Sequence, residues 1–122
     1  MNLVPGAVSG GTFEAEGVSV PVAHPDRQDV VLGIRPEDLE IGTGGSAPIE
    51  GRVYALELTG ESTLVTLRAG RAMICARGPA EFEAGIDSPC TLVPRTGARL
   101  HLFDAVSGRR LDLRADGEKM RA

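Results

Sequence analysis

Side chains with reactive potential are few in this 122-residue chain, and they are scattered. Carboxylates, the groups of general acid and base catalysis, come in two close pairs, Glu37 with Asp38 and Glu57 with Glu61. Such work needs one carboxyl against an apolar wall and the other in a polar setting, and neither pair has flanking residues that create this contrast. Both read as solvated surface charge. Ser62 and Thr63 offer hydroxyls but have no histidine close in sequence, while His24 and His101 have neither the spacing of a metal pair nor that of a partnered base. Cys75 and Cys90 stand outside any C-x-x-C or Cys/His cluster, which disfavours zinc and suits two thiols in a reducing compartment. A phosphate-cradling loop would need a glycine-rich turn ending in Gly-Lys-Ser/Thr. The one lysine, Lys119, lies near the C-terminal end, and Gly42-Thr43-Gly44-Gly45-Ser46 leads into Ala47-Pro48 and a strand instead of a helix. These residues predict a chain with no catalytic group, cofactor or metal of its own.

Composition narrows the partners. A net charge of −4, with acids and bases interspersed, offers no basic stripe for a phosphate backbone, and one tyrosine with three phenylalanines gives few platforms for stacking bases. An oligonucleotide-binding barrel is therefore opposed, and nucleic acid is excluded as an expected partner. No apolar run reaches the length of a membrane span, and the first residues lack the pattern of a secretory signal. The size suits one domain, or two small sub-barrels sharing a boundary.

Glycine and proline punctuate the chain at short intervals, and Val, Ile, Leu and Thr fill the stretches between, so the predicted fold is all-β, built of short antiparallel strands. Strands are expected at Leu3–Val8, broken near Pro5 and Gly6, at Thr12–Glu16 and Val18–Val22 around a turn at Gly17, and at Val30–Ile34 after a polar loop, His24–Asp29. Gly42–Pro48 reads as a mobile loop. Ile49–Leu58 and Thr63–Arg68 form a long hairpin, followed by Ala72–Ala76, a loop over Arg77–Pro89 anchored inward by Phe82 and Ile86, and strands at Cys90–Val93 and Ala98–Phe103. A turn at Asp104–Gly108 precedes a last short strand, Arg109–Leu111. Residues 1–113 make the domain, and 114–122 form a tail with too little apolar surface to order itself. Alternation along Ile49–Leu58 places Val53, Ala55 and Glu57 on one face and Tyr54, Leu56 and Leu58 on the other. Glu57 is then either the rim charge of an interface or a half-exposed edge residue, and Gly51 either a bend in a curled sheet or a point of close approach by a partner.

The most distinctive run is Leu32-Gly33-Ile34-Arg35-Pro36-Glu37-Asp38-Leu39-Glu40-Ile41. Pro36 pushes Arg35 out of the helical region and suits the first position of a helix itself, so a short helical turn is predicted at Pro36–Leu39. Glu37 and Asp38 fall in its first turn, where carboxylates favour the positive end of the dipole. Leu39 folds back onto the sheet, and Arg35 pairs with Glu37, Asp38 or Glu40 to lock the corner. Arg35, Pro36 and Glu37 are thus read as a structural motif.

This run occurs in order with Met1-Asn2-Leu3-Val4-Pro5 before it, and with Gly51-Arg52-Val53, Glu57-Leu58-Thr59-Gly60-Glu61-Ser62-Thr63 and His101-Leu102-Phe103-Asp104 after it. Together they resemble the C-terminal regulatory domain of the ATPase subunits of carbohydrate importers of the maltose type (MalK-like), a TOBE-type, OB-like β domain. The resemblance covers the chain up to about Leu111. It implies a non-catalytic regulatory and dimerisation module, isolated here from its nucleotide-binding domain, where ATP and magnesium would bind. Implied partners are the same domain of a second ATPase subunit, the chain's own nucleotide-binding domain, a regulatory protein, and permease subunits through the missing domain. The implied location is cytoplasmic, peripheral to the inner face of the cell membrane. Regulatory positions of maltose-type members match Gly51 and Glu57, and Gly33 lies near another. Pro94 and Arg27 stand where the maltose importer has glycines, departures that set this chain apart near a regulatory contact.

Related TOBE-type domains bind molybdate or similar oxyanions, which makes a small-ligand sensor the alternative. Ser62, Thr63, Arg68 and Arg71 are the groups here that would supply hydroxyls and cations for it.

Overall fold

The computed structural model describes residues 1–42 and 47–113 and consists of antiparallel strands with one turn of 3-10 helix. The strands are β1 (Asn2–Ser9), β2 (Thr12–Ala15), β3 (Val18–Pro21), β4 (Arg27–Ile34), β5 (Leu39–Ile41), β6 (Ile49–Leu58), β7 (Ser62–Ala69), β8 (Ala72–Pro79), β9 (Pro89–Pro94), β10 (Leu100–Asp104) and β11 (Arg110–Leu111), with the 3-10 turn at Pro36–Asp38. They form one curled sheet in the order β11-β10-β4-β1-β2-β3-β6-β7-β8, and β9 bridges β5 and β6. The fold is all-β, as predicted, and OB-like in its curl. The expected mobile segment at 43–46 and the expected frayed tail at 114–122 lie outside the described residues.

Period-two alternation builds the core. Along β7, Thr63, Val65, Leu67 and Ala69 point inward, while Ser62, Leu64, Thr66 and Arg68 face out. Phe13, Leu32, Ile34, Ile49, Leu67 and Ile74 meet inside and are at most 1 % exposed. Burial of each stabilises the fold by roughly 1.5–3 kcal/mol. The sheet curls far enough for β1 to meet β8, and Asn2 closes this seam. Its side-chain amide donates to the Cys75 carbonyl at 2.7 Å and accepts from the Cys75 N–H at 2.8 Å, so one side chain stands in for a neighbouring strand.

Several boundaries differ from the sequence-based expectation, each for a physical reason. β1 is not broken at Pro5 and Gly6. Pro5 lies where β1 has β4 as its ladder partner and β2 does not reach, so its missing N–H costs no pairing. β4 begins at Arg27 and takes up part of the expected loop, because a register shift opposite Ala7 is absorbed by Asp29 in the left-handed region at φ 54°. β8 runs on through Gly78 and Pro79 because β7 offers a partner at every position to Ser62. Leu39 belongs to β5 and not to the helical turn, and it is fully buried against the sheet as expected. Of the two proposed loop anchors, Phe82 packs against the core but Ile86 is 65 % exposed.

Candidate interaction surface

The Arg35-Pro36-Glu37 corner forms as its chemistry requires. Arg35 is extended (φ −79°, ψ 148°), Pro36 opens the turn, and the Asp38 N–H donates to the Arg35 carbonyl at 2.9 Å. The lock differs from the expected one: among the described residues Arg35 has no carboxylate partner, and Arg95 takes the role. β9 pairs with β5 through Leu39 and Pro94, which carries Arg95 to the corner. Its guanidinium donates to Glu40 Oε2 at 3.0 Å, to the Glu37 carbonyl at 3.0 Å and to the Arg77 carbonyl at 3.2 Å, tying the turn, β5 and β8 together. Sequence reasoning missed Arg95 because its partners lie 18 to 58 residues away.

Gly33 sits in β4 between Leu3 of β1 and His101 of β10, on the outer side of the sheet. A Cβ there would lie 2.7 Å from the Met1 sulfur and 3.0 Å from the Phe103 ring, so the space above it is already filled and the residue is buried. His101 stacks on Phe103 with ring centroids 6.5 Å apart and is itself buried. Arg110 donates to its Nδ1 at 2.6 Å. A guanidinium only donates, so Nδ1 accepts and the ring proton resides on Nε2, a buried N–H with no acceptor among the described residues. Burial first, and then the charges of Arg110, Arg35 and Arg99, hold the His101 pKa below its ordinary value, with Asp38 acting weakly the other way.

Gly51 answers the question left open by sequence. Its Cβ position coincides with the Arg68 carbonyl group and stands 3.3 Å from the Ala69 Cα, so the glycine admits the end of β7 of its own chain. Close approach is the reason for it, but the approaching backbone is not a partner's. Next to it lies a shallow depression of about 540 Å³ lined by Gly51, Arg52, Tyr54, Arg68, Ile86 and Asp87.

The β6 faces also need correction. The register passes from Val53 opposite Leu67 to Ala55 opposite Thr66, so Tyr54 is an extra residue and the alternation changes phase. Val53 and Leu56 both point inward, whereas Arg52, Tyr54, Ala55 and Glu57 face out. The outer surface of β6, β7 and β8 then carries two cross-strand rows, Arg52-Arg68-Met73 at one end and Glu57-Leu64-Arg77 at the other. Arg68 lies over the Tyr54 ring at 5.1 Å. Tyr54 and Met73 are exposed, and so is Glu57.

The groups proposed for an oxyanion site do not converge. Ser62 and Arg68 stand at opposite ends of β7, on the order of 20 Å apart at strand rise. The Thr63 hydroxyl is buried and donates to the Ala80 carbonyl at 3.1 Å, and the Ser62 hydroxyl is engaged with Thr59 at 2.9 Å. Among the described residues no three His, Cys, Asp or Glu side chains come together as metal ligands. Both cysteines are free, and burial raises the Cys90 thiol pKa above its usual range. Asp104 caps the turn after β10: its carboxylate accepts from the N–H groups of Val106 and Ser107 and from Arg27 at 2.6 Å, which holds it far below the usual carboxylate range.

This curled all-β fold with its arginine-proline corner defines a class. Residues 32–103 match the family described as TOBE domain, and residues 2–41 match the CysA C-terminal regulatory domain. The chain belongs to the TOBE domain family. It is similar to an sn-glycerol-3-phosphate import ATP-binding protein of Rhodopseudomonas palustris (41% identity over 100 residues, covering 67% of this chain and 28% of the relative). A protein of the same name from Cereibacter sphaeroides is 32% identical over 112 residues, covering 91% and 32%. The xylose/arabinose import ATP-binding protein of Haloferax volcanii is 30% identical over 122 residues, covering 88% and 31%. The chain thus spans about a third of the length of these relatives. No helix is long and apolar enough to cross a membrane among the described residues.

Proposed function

We propose that this chain is the regulatory and dimerisation module of an ABC-importer ATP-binding subunit for a sugar or sugar phosphate. The relatives support the transport class, since their names specify glycerol 3-phosphate, xylose or arabinose, and sulfoquinovosyl glycerol. In this reading ATP and magnesium bind the subunit's nucleotide-binding domain, permease subunits are reached only through it, and the assembly is cytoplasmic at the inner face of the membrane.

The observation that carries the dimerisation is the charge layout on the outer surface of β6–β7–β8. Arg52, Arg68 and Arg71 occupy one end, and Glu57 and Glu61 the other, offset in part by Arg77. Arg52 and Arg68 face each other directly across the ladder, a like-charge pair that costs stability and is relieved within the chain only in part, by Arg52 donating to the Asp87 carbonyl at 2.8 Å and by Arg68 lying over Tyr54. A second copy turned by a two-fold axis sets the acidic end of each protomer against the basic end of the other, with Tyr54 and Met73 as apolar filling. Glu57 is then a rim charge of the self-contact, Gly51 shapes the floor at the opposite, basic end beside Arg52 and Arg68, and Gly33 supports the sheet below a surface that receives a regulatory protein.

Sedimentation equilibrium from micromolar to millimolar concentration tests this. The chain should self-associate, Glu57→Arg and Arg68→Glu should each weaken the dimer, and the two variants mixed should recover it. A monomer throughout the range, or reversals without effect, overturns the self-contact.

A further inference from the structure

The outer side of β10 and β11 holds a second charged feature that the self-contact does not use. In a chain of net charge −4, Arg110 is bonded to His101, and Arg35 and Arg99 follow and precede the paired Ile34 and Leu100 beside it; all three arginines are exposed and have no carboxylate within ion-pair distance among the described residues, although Asp38 lies near enough to act on the histidine. Three like charges raise each other's energy, an expense that a partner of opposite sign recovers. The histidine points the same way. The residue is 7% exposed, Arg110 occupies Nδ1, and the N–H on Nε2 has no acceptor among the described residues. A buried donor without an acceptor is rare and costly, and what it lacks is an oxygen with lone pairs. Met1 and Leu3 are more than half exposed on the same side of the sheet and add apolar area to the patch.

We propose that Arg35, Arg99 and Arg110, beside His101, form the docking site for an acidic segment of a protein partner, whose carboxylates pair with the arginines. The arginines are exposed and make the first contacts. The histidine N–H lies beneath the surface, so a carboxylate reaches it only as neighbouring side chains shift. The chain's own residues beyond the described part do not supply such a segment: 114–122 hold three cationic side chains, Arg114, Lys119 and Arg121, against two carboxylates, Asp116 and Glu118. An extended acidic stretch also suits the place geometrically, because β11 is only two residues long and, among the described residues, leaves Leu100 and His101 at the far edge of β10 without a ladder neighbour. The inference deepens the regulatory reading by giving the regulator's contact a location and a chemistry, and it is independent of the β6–β7–β8 self-contact.

The test uses the chain itself and a synthetic oligo-glutamate peptide, with oligo-lysine and inorganic phosphate as comparison probes, followed by ring and amide NMR signals. His24 and His101 are the two histidines, so His24 is an internal control. The expected result is that oligo-glutamate shifts the signals of His101 and of Leu100–Phe103 but not those of His24, and raises the His101 pKa, because carboxylates offset the arginine charges. Arg35→Gln and Arg99→Gln should each weaken peptide binding by about fivefold, as loss of an exposed ion pair does, with thermal stability equal to the parent's or slightly higher because one like charge is removed. Added salt should weaken it further. The inference is overturned if His101 does not respond to the acidic peptide, if the arginine variants bind it equally well, or if phosphate produces the same response at lower concentration, which would make the site one for a small oxyanion. Failure here with intact self-association removes the acidic dock alone; loss of self-association with a responding His101 removes only the dimer surface.

Discussion

Gly51→Ala separates a structural role from a binding role at a position that the family resemblance marks as regulatory. The added methyl would overlap the Arg68 carbonyl and crowd the Ala69 Cα at 3.3 Å. Both are backbone atoms held in the β6–β7 and β7–β8 ladders, so no flexible side chain can move aside. Overpacking costs up to about 3 kcal/mol, and replacing a strand glycine by alanine returns up to about 1 kcal/mol of chain entropy. The net loss expected is on the order of 2 kcal/mol, which for a domain of this size lowers Tm by roughly 8 °C. Urea unfolding followed by far-UV circular dichroism reads the first quantity and a thermal melt the second. A variant as stable as the parent would refute the close-approach argument and return Gly51 to the binding surface. Should the loss appear, weakened regulation in any Gly51 variant is to be credited to a distorted β6–β7 before a lost contact.

Two further outcomes follow from the seam and from the titrating groups. Asn2→Ala strips Cys75 of both amide partners and leaves a part-buried N–H and C=O unpaired, an expected cost of roughly 2–4 kcal/mol, read as a lower urea midpoint; a loss under about 0.5 kcal/mol would mean that β1 and β8 are held by packing alone. His101 has a folded pKa below its unfolded value of 6.5, so the unfolded chain binds more protons between the two values, and stability should be full above pH 6.5 and fall as the pH drops below it. His101→Leu should flatten that fall, whereas the loss tied to the Asp104 carboxylate begins only below about pH 4; a profile of the parent flat from pH 7 to 5 would contradict the burial of a neutral ring.

Much of the fold was legible because its signals are local. Pro36 after Arg35 dictates an extended residue and a turn wherever it occurs, and β6 begins and ends where its apolar run does. Boundaries failed where a distant partner overrode a local signal. Gly78 and Pro79 read as loop, yet β7 pairs with both, and the Cβ position of Gly78 lies 3.2 Å from the Ile41 side chain of β5, a tight approach that glycine eases. The faces of β6 failed at Tyr54, since one inserted residue reverses an alternation of period two and no composition marks where it falls.

The amino-acid sequence by itself determined the all-β class, the arginine-proline corner, the last hairpin and, through motif order, membership of the TOBE domain family. Periodicity, proline geometry and motif order all survive without knowledge of what packs against what. Only the tertiary structure decided that Arg95 and not Arg35 locks the corner, that Gly51 makes room for its own chain, and that His101 lies beside arginines with an N–H that finds no acceptor among the described residues. Each of these depends on which strands lie side by side after the sheet curls, and contacts such as Asn2 with Cys75, 73 residues apart, leave no mark on the local pattern of either partner.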